Sequence, residues 1–212
     1  NPYTLEGNKT VAYELYHQLR GAVPDYILVP IGSGPLLVGI NKGYTELRKM
    51  GLIQSMPKMI GVQASQCAPI YNAFAQGLET VSAWDFPIQT IAGGIADPLI
   101  GYADDGTLTL RKVGESKGLM TYLTEEEIYE GMTAIEQKVG LYCEPAGAVS
   151  VGAVKKLWAD GVLPRGCTVV SMMTGSGFKY SGRLAKKPPL IQTIEQAVDR
   201  LKCSQDESER RQ

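Results

Sequence analysis

Apolar positions recur along this chain in two rhythms, and the alternation between them predicts its architecture. KTVAYELYHQLR, Lys9 to Arg20, puts Val11, Tyr13, Leu15, Tyr16 and Leu19 at mostly helical spacing, with Gly21 as a stop. The next run, DYILVP, is short, apolar and closed by glycines, as suits a buried strand, and Leu36 to Met50 returns to the helical period until Gly51. MIGVQ (Met59 to Gln63) predicts a second strand, Ala68 to Gln76 a helix, LMTYL (Leu119 to Leu123) a third strand and TVVSMM (Thr168 to Met173) a fourth. Thr124-Glu125-Glu126-Glu127 reads as a capping box opening a helix to Val139, and Pro145 suits the first turn of a helix running to Ala159. TIAGGIADPLIGYADDG carries no clear period and reads as irregular. Leu190 to Leu201 predicts an amphipathic helix, and QDESERRQ a solvated tail.

Strands alternating with helices imply an α/β fold, a mostly parallel twisted sheet with helices on both faces and functional sites at the carboxyl ends of the strands. Two glycine loops fall at such ends: Gly32-Ser33-Gly34 after DYILVP, and TGSG, starting at Thr174, after TVVSMM. The expected division is an α/β domain over residues 1–187 and a C-terminal helix with a charged tail over 188–212.

Composition narrows the function. A chain of 212 residues, 44% hydrophobic and 20% charged, can bury a substantial core. A net charge of -1 provides no field for gathering nucleic acid, so no nucleic-acid partner is expected. Cys67, Cys143, Cys167 and Cys203 form no C-x-x-C pair, which points to reduced cysteines and to neither a zinc site nor a disulfide framework. The sequence has no apolar run of membrane-spanning length and no signal-like opening, so a cytoplasmic protein without a membrane partner is expected. Its first residue is Asn, which suggests a piece of a longer chain.

The amides of Gly32-Ser33-Gly34, leading into a helix N-terminus, suit an anion, because they converge where the helix dipole favours negative charge. An ordinary strand-to-helix turn explains the same residues. The loop is not a Walker loop, since no Gly-Lys-Ser/Thr follows, and Leu37 stands where a dinucleotide fingerprint has its last glycine. His17 is the only histidine and lies within an amphipathic helix, so serine-histidine chemistry is not indicated. The acids at Glu125 to Glu127 are explained by capping, and no metal site is expected.

Taken in order, NPYTLEGNKTVAYEL, VPIGSGPLLVGI, MIGVQAS, CEPAGAVSVGAV and TGSGFK resemble the threonine synthase branch of the fold type II (tryptophan synthase beta-like) pyridoxal phosphate enzymes, over Asn1 to Lys179. NPYTLEGNKT is similar to the family's N-P-x-R-L-E-G-x-K-T, and CEPAGAVS to its E-P-A-S-A-A. The resemblance implies the C-terminal part of a two-domain, pyridoxal 5'-phosphate-dependent lyase, a homodimer when full length. Its substrate would be a phosphorylated amino acid, O-phosphohomoserine, converted to threonine and phosphate. It assigns the cofactor phosphate to Gly32, Ser33 and Gly34, the pyridine nitrogen to the Thr174 hydroxyl, and a place near the cofactor ring to Glu144. Without the resemblance, Glu144 reads as a helix-start acid and Thr174 as a turn residue. Cysteate synthase, a threonine dehydratase-like lyase and a non-catalytic module binding pyridoxal phosphate or another small anion stay open.

Three departures accompany the resemblance. The S-F-K-D-R-G motif that carries the family's Schiff-base lysine does not occur in the sequence, nor does its S-T-G-N-T loop, so no catalytic residue is assigned. Lys9 and Lys179 match other lysines of the family pattern, and Lys42 lies outside that motif. Thr4 stands where many threonine synthases have Arg, which removes a bidentate grip on a substrate phosphate. Pro35 removes one amide from the phosphate loop, although proline suits the first position of the helix that follows.

Overall fold

The computed structural model describes residues 2–180, 182, 193–196 and 198. Asn1–Lys179 form one compact unit and Tyr180–Gln212 another. Most of the expected helix at Leu190 to Leu201, the tail, and the expected boundary after residue 187 lie outside the described residues.

The apolar runs of the sequence form a parallel sheet. β1, Tyr26–Pro30, is buried at every position, and β2, Lys58–Ala64, at every position after Lys58. Such runs lack alternation because a parallel sheet is covered on both faces. With β3, Leu119–Leu123, and β4, Val169–Ser171, the order is β3-β2-β1-β4, and all pairings are parallel. Leu28 of β1 stands opposite Ile60 on one side and Ser171 on the other.

Alternate strand residues feed two cores, as the period of two requires. Ile27, Val29 and Met59 pack with Ile40, Tyr44, Ile70 and Val113, contributed by α3 (Pro35–Lys49), α4 (Pro69–Ala75) and α5 (Ala103–Glu115). Leu28, Ile60 and Val62 pack with Ile128 of α6 (Glu125–Val139) and Val149 and Leu157 of α7 (Pro145–Ala159). Thr124 forms the expected capping box with Glu127, and Pro145 occupies the first turn of α7.

Two helices were not legible in the apolar pattern. α1, Pro2–Asn8, has no buried residue and precedes α2, Thr10–Gln18, so it has no apolar stripe to announce it. α5 lies in and just beyond the stretch read as irregular. Its glycines weigh against a helix, yet Gly106, Thr109, Leu110 and Val113 are buried at helical spacing. Gly106 lets the helix pack closely there, since a Cβ would stand 2.6 Å from Leu99 Cδ1 and 3.2 Å from Val81 Cγ1. The fourth strand is shorter than the expected Thr168 to Met173 and is only half-buried, as befits a sheet edge.

The order of the strands places a site. From β1 the chain moves outward to β2 and then β3, and β4 returns on the other side of β1. The connections therefore diverge between β1 and β4, and the carboxyl ends of those two strands are where an open parallel sheet places its ligand crevice.

Candidate functional site

Both glycine loops lie at this crevice, each held by neighbours that leave no room for a side chain. Gly34 caps α3 in the left-handed region, at φ 96°, with Pro35 in the first turn. A Cβ on Gly34 would also run into Thr109 Oγ1, and one on Gly32 would stand 2.8 Å from Asp97 Cβ. Glycine is required at these positions by conformation and by close approach.

The carbonyls of the loop are fixed from inside the protein. Thr109, only 1% exposed on α5, donates its hydroxyl to Ser33 O at 2.6 Å. Gln63, fully buried on β2, donates from Nε2 to Gly32 O at 3.3 Å, and its Oε1 accepts the amides of Ile70 and Tyr71 at 3.0 and 2.9 Å. No backbone acceptor among the described residues takes the amides of Gly32, Ser33 or Gly34. These donors, at the N-terminus of a helix of 15 residues, suit a group with several anionic oxygens. Pro35 removes a donor at a position where a helix leaves its amide unpaired in any case.

The second loop is built against the start of α7. Glu144 donates its amide to Gly175 O at 3.1 Å, and Gly177 donates to Tyr142 O at 2.8 Å. The Glu144 carboxylate lies so close to Gly175 that a Cβ there would overlap it. Glu144 Oε2 pairs with Lys179 Nζ at 3.4 Å. Thr174 is exposed at the mouth of this loop, and its amide lies against Gly147, where a Cβ would stand 3.1 Å from it. Buried Ser150 donates to Met172 O at 2.8 Å and so anchors the strand end leading into the loop.

The turn at Gly93–Ile95 and the residues after it join the two loops. A Cβ on Gly94 would stand 3.8 Å from Glu144 Oε1, and Asp97 lies against Gly32. Asp97 Oδ1 accepts the Leu99 amide at 3.0 Å and the Tyr102 hydroxyl at 2.6 Å, so a carboxylate is held at the rim of the first loop. Ser33 and Thr4 line a cavity of about 410 Å³ with Val38, Asp105 and Leu108.

The sequence singled out Gly32, Ser33, Gly34, Glu144 and Thr174, and the structure places them at or against the two loops that follow β1 and β4. The sequence missed Gln63, Asp97 and Thr109, whose roles depend on contacts 31 to 76 residues away in the chain for the first and last of them. A polar residue inside the apolar run MIGVQ was the available signal for Gln63.

Other groups have clear roles elsewhere. Lys9 pairs with Glu6 at 2.5 Å and Glu46 at 3.1 Å, and these partners, Glu6 foremost, raise its pKa and hold it as an ammonium. Lys42 pairs with Glu6. Burial first, and Asp97 second, push the Cys67 thiol up to about 11, while burial and Glu144 push Cys143 up. Both thiols are therefore protonated near neutrality. His17 is exposed on α2. Among the described residues no cluster of His, Cys, Asp and Glu is arranged to hold a metal.

Comparison with known proteins gives a consistent result. The family description "Pyridoxal-phosphate dependent enzyme" matches residues 1–175. The chain is 36% identical over 179 residues to threonine synthase of Methanocaldococcus jannaschii, covering 84% of this chain and 43% of that protein. It is 37% identical over 175 residues to threonine synthase of Methanosarcina acetivorans, covering 82% and 42%. The chain thus spans less than half the length of these relatives. Among solved structures, a fungal L-serine ammonia-lyase from Rhizomucor miehei superposes with a TM-score of 0.67 at 18% identity, covering 81% of this chain and 51% of the other. The processed form of threonine deaminase isoform 2 from Solanum lycopersicum also gives 0.67 at 18%, covering 85% and 48%. These two likenesses concern the fold.

Proposed function

The chain belongs to the pyridoxal-phosphate dependent enzymes, and from that premise we propose that it forms the cofactor-phosphate cradle of a threonine synthase-like lyase. The observation that carries this reading is the pair of glycine loops flanking the switch point, the first presenting unpaired amides at a helix N-terminus. Gly32, Ser33 and Gly34 hold the 5'-phosphate. The Thr174 hydroxyl would hydrogen-bond the pyridine nitrogen, and Glu144, packed on Gly175 and paired with Lys179, would stand near the ring. When bound, the cofactor supplies an electron sink for carbanionic chemistry on an amino acid. A neutral hydroxyl at the ring nitrogen moderates that sink, which suits elimination and replacement at the beta and gamma carbons. In this reading the lysine that carries the cofactor is supplied by sequence beyond this chain, which spans less than half the length of its relatives.

In this reading O-phosphohomoserine is converted to threonine with release of phosphate. Thr4 favours a second reading, a dehydratase-like lyase, because it supplies no guanidinium to a substrate phosphate at the cavity that Ser33 lines. Product analysis on the full-length protein separates them. Phosphate and threonine from O-phosphohomoserine support the first, and ammonia release from threonine supports the second. A full-length protein that takes up no pyridoxal phosphate contradicts both.

A further inference from the structure

Two buried polar side chains grip successive carbonyls of the first glycine loop. Gln63 Nε2 takes Gly32 O and Thr109 Oγ1 takes Ser33 O. Both are almost fully shielded from solvent, Gln63 fully buried and Thr109 1% exposed in the wall of the cavity that Ser33 lines. The described peptide bonds are all trans. In a trans peptide the carbonyl of one residue and the amide of the next point in opposite directions. Drawing Gly32 O toward Gln63 therefore turns the Ser33 amide away from the interior. Drawing Ser33 O toward Thr109 does the same for Gly34.

We propose that Gln63 and Thr109 are positioning residues that aim the Ser33 and Gly34 amides at the phosphate of the bound cofactor. The inference rests on the proposed function and adds the device that pre-orients its cradle. Neither side chain touches the cofactor. Each prevents a peptide flip that would present a carbonyl oxygen to an anion, and so removes a reorganisation cost from binding. Gln63 also accepts the first amides of α4, which ties loop and helix to one side chain. The Thr109 hydroxyl lies 3.1 Å from Asp105 O as well, so an alternative acceptor within its own helix competes for the same proton.

The test compares pyridoxal 5'-phosphate with pyridoxal, which lacks the phosphate, as ligands of the full-length protein and its T109V, T109S and Q63E variants. Thr109→Val keeps the shape and removes the hydroxyl. Gln63→Glu keeps an acceptor for the α4 amides and replaces the donor to Gly32. The expected result is about tenfold weaker binding of pyridoxal 5'-phosphate by T109V, with a changed phosphorus-31 shift, unchanged pyridoxal binding, and recovery in T109S. Q63E is the independent second variant and is expected to show the same selective loss. Equal loss of both ligands in T109V and Q63E, as a merely structural role gives, or no loss in either, overturns the inference and leaves the proposed function standing. Absence of pyridoxal 5'-phosphate binding by the unmodified protein overturns both.

Discussion

Gly34 carries more constraint than any other residue of the loop. Its φ of 96° is one that an L side chain adopts only at a cost, and Thr109 occupies the space a Cβ needs. Gly34→Ala is expected to destabilise the protein by about 1–2 kcal/mol and to weaken cofactor binding, read by thermal melts and by titration. Gly93→Ala is the control, because a Cβ there meets nothing within 4 Å, and its expected effect is below ~0.5 kcal/mol. Equal effects of the two substitutions would contradict this account of the loop. The Gly32-Ser33-Gly34 loop was legible in the sequence as a glycine turn between an apolar strand and a helix, and that is where the structure has it. Thr109 and Asp97 were not, since a lone polar residue acquires meaning only from the distant segment it meets.

Among the elements, the clearest success of sequence reading is α6, whose capping box and apolar spacing agree with its structure. The clearest miss is α5, where glycine lowered the helical signal and close packing on Leu99 restored the helix. α1 owes its place to polar contacts as well as packing. Lys9, Lys42, Glu6, Glu46 and Tyr13 join α1, α2 and α3 in one network. The Tyr13 hydroxyl foremost, with Lys9, holds the Glu46 carboxyl below its ordinary value of 4.5. A carboxyl whose pKa is depressed on folding contributes stability at pH above its unfolded value, and that contribution fades as the pH falls through the folded value. The melting temperature is therefore expected to fall as the pH drops below 4.5, with a smaller fall in Glu46→Gln. Identical pH profiles for the two proteins would remove Glu46 from the network's stability. The effect is modest, because the pairs are partly exposed and screened by water.

For the whole molecule, the sheet order decides where chemistry is possible. The alternation of strands and helices was readable from apolar periods, and so was the assignment of both glycine loops to carboxyl ends of strands. The position of β4 beside β1 was not, because strand order comes from which edges meet and local sequence does not encode it. That order creates the switch point and brings Glu144 and Thr174 to the same end of the sheet as Gly32-Ser33-Gly34. Phe86, Ile100 and Phe178, exposed at 67%, 68% and 91%, lie in segments that follow β2 and β4. The most direct test of the cradle is amide NMR of the protein titrated with pyridoxal 5'-phosphate. The account predicts saturable shifts largest at the Gly32, Ser33 and Gly34 amides, with a second group at Thr174 to Gly177. Saturable binding that leaves the Gly32, Ser33 and Gly34 amides unmoved would contradict it.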